Sequence, residues 1–117
     1  MRKILARLTK VRGVRGTLLL SPDGLVIAAD LREEISAETV GALTSEVLLN
    51  LRNAGERLKL GRTRRFTFTG ADGSCAAIPI GETLLVVLVE PEANQALVWV
   101  ELVNAAPEIE AKMKLGK

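Results

Sequence analysis

The chain of 117 residues has no histidine, no tyrosine and a single cysteine, Cys75. One cysteine excludes an intramolecular disulfide, which favours a reducing, cytoplasmic location. A nucleophilic cysteine needs a neighbouring base or a lowered pKa, and no histidine is present to act as that base. We therefore interpret Cys75 as a small core residue on a strand. We expect no catalytic residue and no enzymatic activity.

Metal-binding, phosphate-binding and membrane-spanning motifs are also missing. Without histidine only carboxylates remain as metal ligands, and Asp23 and Asp72 stand in turn-like sequences. Gly13 and Gly16 are not followed by the Lys-Ser/Thr of a phosphate-binding loop. No apolar run approaches the roughly 20 residues that a membrane-spanning helix needs. We expect no metal, no cofactor and no membrane span.

The charge is nearly balanced, with 16 basic and 14 acidic residues and a net charge of +2. This balance argues against a dedicated nucleic-acid-binding protein. One basic cluster nevertheless stands out: Arg57, Lys59, Arg62, Arg64 and Arg65. We interpret it as charge that stabilises the C-terminal end of a helix and that protects an edge strand from pairing with other chains. The alternative is a docking patch for an acidic partner, a phosphate or an anionic membrane, whereas nucleic acid is disfavoured because no aromatic residues are interleaved for base stacking.

Apolar residues make up 48% of the chain, and their spacing predicts one domain over 1–117. Helices are predicted over 2–11, 36–60 and 92–105, and strands over 17–20, 25–29, 64–69, 75–80 and 84–89. Ser36 has the features of an N-cap and Gly61 those of the residue that ends the same helix. Pro107 is expected to interrupt the last helix, so that the tail 106–117 forms a short charged helix or frays.

Several strands are apolar on both faces, which predicts a sheet covered on both sides. With three helices, one side would have a single helix, and a second copy of the chain could complete the cover. Within the long helix, we expect one side to face the core: Val40, Val47, Leu51, Ala54 and Leu58.

A second strip of the long helix is small or apolar and is the candidate seam of a dimer, because small residues permit close helix–helix approach. It comprises Gly41, Ser45, Leu48, Arg52 and Gly55. A charge introduced at Leu48 is then expected to disrupt the dimer. Leu49, Asn53 and Glu56 would form the outward face of the paired helices and are predicted to bind a partner.

Several features in a fixed order carry a resemblance to a known family. They are Val11-x-Gly13-Val14-x-Gly16 before the first strand, Asp23-Gly24, the long helix from Ser36, Asp72-Gly73, and Asn94 at the start of the last long helix. In this order they resemble the Roadblock family, which includes dynein light chains of the roadblock type and bacterial MglB-like proteins. The resemblance covers nearly the whole chain.

The resemblance implies an α+β fold of the profilin-like kind: an α/β/α sandwich with a five-stranded antiparallel sheet in the order α-β-β-α-β-β-β-α. It also implies a homodimer, or a pair with a paralogue, whose sheet continues across both subunits through the strand 64–69. Arg64, Phe66 and Phe68 would thereby join the interface.

Bacterial members of the family bind small Ras-like GTPases and modulate nucleotide hydrolysis by reshaping the GTPase, without inserting a catalytic side chain. The resulting hypothesis is a non-enzymatic dimeric regulator or scaffold of such a GTPase, from a bacterium or an archaeon. The alternatives are a constitutive dimeric adaptor in a larger complex and, less favoured, a binder of anionic surfaces or nucleic acid through residues 57–65.

Overall fold

A computed structural model of the protein describes residues 1–32 and 34–115. The elements are α1 (Arg2–Thr9), β1 (Val14–Leu20), β2 (Val26–Leu31), α2 (Ala37–Arg57), β3 (Phe66–Gly70), β4 (Gly73–Ile80), β5 (Thr83–Val89) and α3 (Gln95–Leu115). The strands form one sheet in the order β2-β1-β5-β4-β3, and every neighbouring pair is antiparallel. The predicted five-stranded sheet and the predicted element order are therefore confirmed.

Neighbouring residues of the central strands point to opposite faces of the sheet and enter two separate cores. Leu19 and Leu85 pack with α1 and α3, whereas Leu18 and Val86 pack on the other face with Leu48 of α2. This two-sided burial explains why β1 and β5 are apolar at nearly every position. The prediction of a sheet covered on both sides, with a single helix on one of them, is confirmed.

The helix α2 begins as the sequence predicts but ends earlier. The hydroxyl of Ser36 accepts a hydrogen bond from the backbone N–H of Thr39 at 3.2 Å, so Ser36 is the N-cap. At the other end Lys59, at φ 61°, occupies the left-handed position that we assigned to Gly61. The Leu60 N–H donates to the carbonyl of Gly55 at 2.8 Å, and this six-residue closure is the Schellman arrangement. The assignment of Gly61 is therefore wrong by two residues.

Replacing Lys59 with glycine should stabilise the protein, because only glycine adopts positive φ without a steric penalty. We expect the free energy of unfolding to rise by about 0.5–1 kcal/mol. A matched control is Arg57→Gly, which also removes one basic side chain but lies inside the last turn of α2. Glycine there should lower the free energy of unfolding by about 1 kcal/mol. Urea titrations of both variants measure the free energy of unfolding. An equal decrease in Lys59→Gly and Arg57→Gly would contradict the prediction.

The helix α3 continues through Pro107, so the predicted interruption is wrong. A proline inside a helix removes one backbone hydrogen bond and costs about 3 kcal/mol. Beyond it, however, Ile109 is fully buried in the core beneath α1 and α3, which contributes about 1.5–3 kcal/mol. Glu108 also pairs with Arg7 of α1. These contacts hold residues 106–115 in the helix.

Candidate interaction surfaces

The side of α2 that faces the sheet buries Gly41, Thr44 and Leu48, and its small residues lie against the β1–β2 turn. A Cβ atom on Gly41 would lie 2.7 Å from the carbonyl oxygen of Gly24, and one on Gly24 would lie 2.7 Å from the Cβ of Ser45. Leu48 is only 7% exposed and packs in the core under α2. Small residues do permit a close approach, as predicted, but the approach is to the β1–β2 turn of the same chain. The prediction that Gly41 and Leu48 face a second copy is therefore wrong.

The other members of the predicted seam differ in their surroundings. Gly55 is half-buried, and a Cβ atom there would lie 3.0 Å from the carbonyl oxygen of Gly61, in the loop that follows α2. Arg52 is exposed. A role for Arg52 at a dimer interface stays a prediction.

An apolar flank of α2 is left largely uncovered. Its residues fall within an arc of about 80° at 100° per residue; we call them the α2 flank, and they are Leu43, Val47, Leu51, Ala54 and Leu58. Leu43 and Leu58 are 58% and 66% exposed, Ala54 is exposed, and Val47 and Leu51 are half-buried. The prediction that this side faces the core is wrong for Ala54 and Leu58, whereas Val40 does pack against the core under α2. A contiguous apolar surface of this kind marks an interaction site.

The strand β3 forms one edge of the sheet. Among the described strands it pairs with β4 alone, so its other edge carries unpaired backbone groups. Phe66 and Phe68 lie on one face of β3, as predicted, and their rings stack with centroids 6.4 Å apart. Phe66 packs against the core under α2, but Phe68 is 47% exposed. An edge strand with an exposed aromatic side chain is a template for pairing with another chain.

The residues predicted to bind a partner lie on a third surface. Leu49, Asn53 and Glu56 are all exposed. At 100° per residue they point away from the α2 flank, on the side of the helix turned to solvent. The structure thus leaves them accessible, and their role in binding stays a prediction.

The residues of the basic cluster 57–65 lie in different surroundings in the structure. The end of α2, the loop after it and the β4–β5 turn enclose a groove of about 870 Å³. Arg62 and Arg64 line this groove. The guanidinium of Arg65 instead lies 5.2 Å from the ring centroid of Trp99 in α3, a cation–π contact. Arg57 and Lys59 are exposed outside the groove.

Cys75, Asp23 and Asp72, the residues considered above for chemistry, lie in the core or in turns. Cys75 is buried on β4, and this burial raises the pKa of its thiol to about 11, although the hydroxyl of neighbouring Thr44 partly opposes the shift. A thiol with such a pKa is a weak nucleophile at neutral pH, and Cys75 is the core residue that we predicted. Asp23 and Asp72 lie in turns. Within residues 1–32 and 34–115, no helix is long and apolar enough to cross a membrane.

The fold and these surfaces define a small α+β domain of the regulatory or scaffold type. The family model described as the Roadblock/LC7 domain matches residues 2–89. The chain therefore belongs to the Roadblock/LC7 family, as the order of its motifs indicated. Members of this family are generally regulators or adaptors rather than catalysts.

Proteins similar to this chain over nearly its whole length occur in both archaea and bacteria. The uncharacterized protein MJ0310 of Methanocaldococcus jannaschii is 30% identical over 109 residues, which are 93% of this chain and 96% of that protein. The crystal structure of a Roadblock/LC7 domain from Streptomyces avermitilis has a TM-score of 0.89 and 25% identity, with 97% and 98% of the two chains covered. MglB of Myxococcus xanthus also has a TM-score of 0.89, covering 97% and 94%, but at 18% identity this likeness is one of fold alone.

Proposed function

We propose that the protein is a homodimeric regulator or scaffold of a small Ras-like GTPase. The observation that carries the dimer is the pair of uncovered surfaces, the α2 flank and the free edge of β3. Each exposes apolar side chains although both cores of the domain are closed. A second copy, or a paralogue, would remove this apolar area from water, which favours association.

A two-fold axis beside β3 would bury both surfaces in a single interface. Two β3 strands pair antiparallel with each other, so the backbone groups of the free edge gain partners and the sheet grows across the dimer. In a symmetric dimer the same patch meets itself, so Phe68 and the α2 flank each lie near their counterparts. Of the predicted interface residues, Arg64 and Phe68 are exposed and Phe66 is half-buried.

The GTPase part of the proposal is supported by the family and by the outward side of α2. Leu49, Asn53 and Glu56 are exposed there, and two α2 helices in a dimer double this surface. Because no catalytic side chain is invoked, the dimer acts by binding one switch conformation of the GTPase more tightly than the other. The cytoplasmic location expected from the cysteine content agrees with such a partner.

The test is size-exclusion chromatography with light scattering. The protein alone should elute with twice its chain mass of 12.6 kDa. The dimer should co-elute with a small Ras-like GTPase of the same organism when that GTPase carries a GTP analogue, and not when it carries GDP. Leu49→Arg should abolish co-elution and leave the dimer intact. The control Glu92→Arg, an exposed site outside α2, should change neither property.

Other outcomes would contradict the proposal in separable ways. A stable monomer would contradict the dimer, and with it the role of the α2 flank. A dimer that binds neither form of the GTPase, or both forms equally, would contradict nucleotide-dependent regulation and favour the constitutive adaptor.

A further inference from the structure

Positive charge is concentrated in one stretch of the chain. Residues 52–65 hold six of the 16 basic residues and one of the 14 acidic residues, a net charge of +5. The rest of the chain is therefore net negative, at −3, although the whole carries +2. The ion pairs among the described residues lie elsewhere, at Arg7, Arg32 and Lys114. The excess charge of this stretch is thus not balanced by these pairs.

The same stretch forms one wall of the groove described above, which we call the basic groove. Its walls combine cations with apolar surface: Arg52, Arg62 and Arg64 line it together with Leu60, Ile78 and Pro79. Leu60 is 75% exposed, more than any other exposed large apolar side chain in residues 1–32 and 34–114. Glu56 is the acidic residue among its lining residues. The basic groove therefore offers both guanidinium groups and an apolar contact within about 870 Å³.

We propose that the basic groove binds an acidic, leucine-containing segment of a partner protein. Guanidinium groups bind carboxylates through paired, charge-assisted hydrogen bonds, and Arg62, which lies outside the predicted dimer interface, supplies one such group. An apolar side chain of the segment packs against Leu60 and Ile78. The inference rests on the proposed function only in that the domain acts through protein partners. It places a second docking surface that shares Glu56 with the predicted GTPase-binding side of α2 but does not include Leu49 or Asn53.

The shape and lining of the basic groove favour a peptide over the other anionic ligands. A membrane surface would meet cations on a flat or convex face, whereas Arg62 and Arg64 line a recess between α2 and the β4–β5 turn. Single-stranded nucleic acid is bound by stacking bases on aromatic side chains. The lining residues of this groove include no aromatic one.

Fluorescence anisotropy with a labelled synthetic peptide of alternating glutamate and leucine tests the proposal on the full chain. We expect saturable binding at about 150 mM salt, where exposed charges more than about 8 Å apart are screened. Arg62→Glu should weaken binding at least ~tenfold, because it replaces an attractive charge pair with a repulsive one. Leu60→Ser should weaken it severalfold. The control Lys3→Glu makes the same change of charge at an exposed site in α1 and should have no effect.

Three results would overturn the proposal. They are an equal loss of binding in Lys3→Glu, equal binding of an all-glutamate peptide, and binding of phosphatidylserine vesicles or single-stranded DNA in preference to the peptide. Elution of Arg62→Glu with the GTPase, in the chromatography described above, separates the two proposals. If the unmodified protein does not bind the peptide but still co-elutes with the GTPase, the basic groove is refuted and the regulator is not. Loss of the GTPase with the peptide still bound refutes only the regulator.

Discussion

The free energy of unfolding should fall by about 3 kcal/mol when Gly41 is replaced by valine. A Cβ atom at this position would lie 2.7 Å from the carbonyl oxygen of Gly24 and 3.2 Å from the side chain of Leu20. The nearer atom belongs to the backbone of the β1–β2 turn, so it cannot move away as a side-chain end could. The two methyl groups of valine add to an already filled space. The helix α2 must therefore lift from the sheet or the turn must shift.

Gly41→Ala gives the sharper test, because two arguments predict opposite signs. Helix propensity alone predicts a gain of about 1 kcal/mol for alanine inside a helix. The contact with the β1–β2 turn predicts a loss. Urea unfolding followed by circular dichroism measures the sign, and Ala42→Val, an exposed neighbour, should change stability by less than about 0.7 kcal/mol. A gain for Gly41→Ala would show that α2 does not approach the turn this closely.

The order of the elements could be predicted because each has a local signal. Ser36 marks the start of α2, and Asp72 stands in the two-residue turn between β3 and β4, directly before Gly73, the first residue of β4. The apolarity of β1 and β5 on both faces required cover on two sides of the sheet. These signals depend on neighbours in the sequence, and the structure keeps all of them.

The orientation of α2 could not be predicted from periodicity. This helix has two surfaces to bury, and its more apolar one, the α2 flank, is not the one that faces the sheet. Gly41, Thr44 and Leu48 are the buried residues of α2, and Gly41 lets the helix approach the β1–β2 turn. An apolar pattern shows which residues avoid water, and it does not show whether the same chain or another one covers them.

The two errors at helix ends have a similar cause. Glycine is the usual residue after a helix and proline is the usual interruption, yet Lys59 adopts the left-handed position and Pro107 lies inside α3. Each local preference amounts to a few kcal/mol at most. Tertiary contacts beyond Pro107, such as the burial of Ile109 and the pairing of Glu108 with Arg7, are together of the same size and offset that preference.

A pair of identical substitutions in α2 should separate folding from association. Leu48→Glu puts a carboxylate into a site that is 7% exposed and lined by Leu18, Leu20 and Val86. We expect it to lower the free energy of unfolding by about 4 kcal/mol, through lost apolar packing and an unpaired buried charge. Leu43→Glu, five residues earlier on the exposed α2 flank, should leave the folded monomer nearly as stable as before.

The oligomeric state should respond in the opposite way, because the α2 flank is the surface that the proposed dimer covers. Leu43→Glu would bury an unpaired carboxylate from each subunit in the proposed interface, and we expect it to raise the dimer dissociation constant at least ~100-fold, about 2.7 kcal/mol. Analytical ultracentrifugation measures that constant, and thermal unfolding at a concentration far below it measures the monomer. A Leu43→Glu protein that stays dimeric would place the dimer interface elsewhere. A Leu48→Glu protein that stays folded but becomes monomeric would restore the seam first predicted from the small residues of α2.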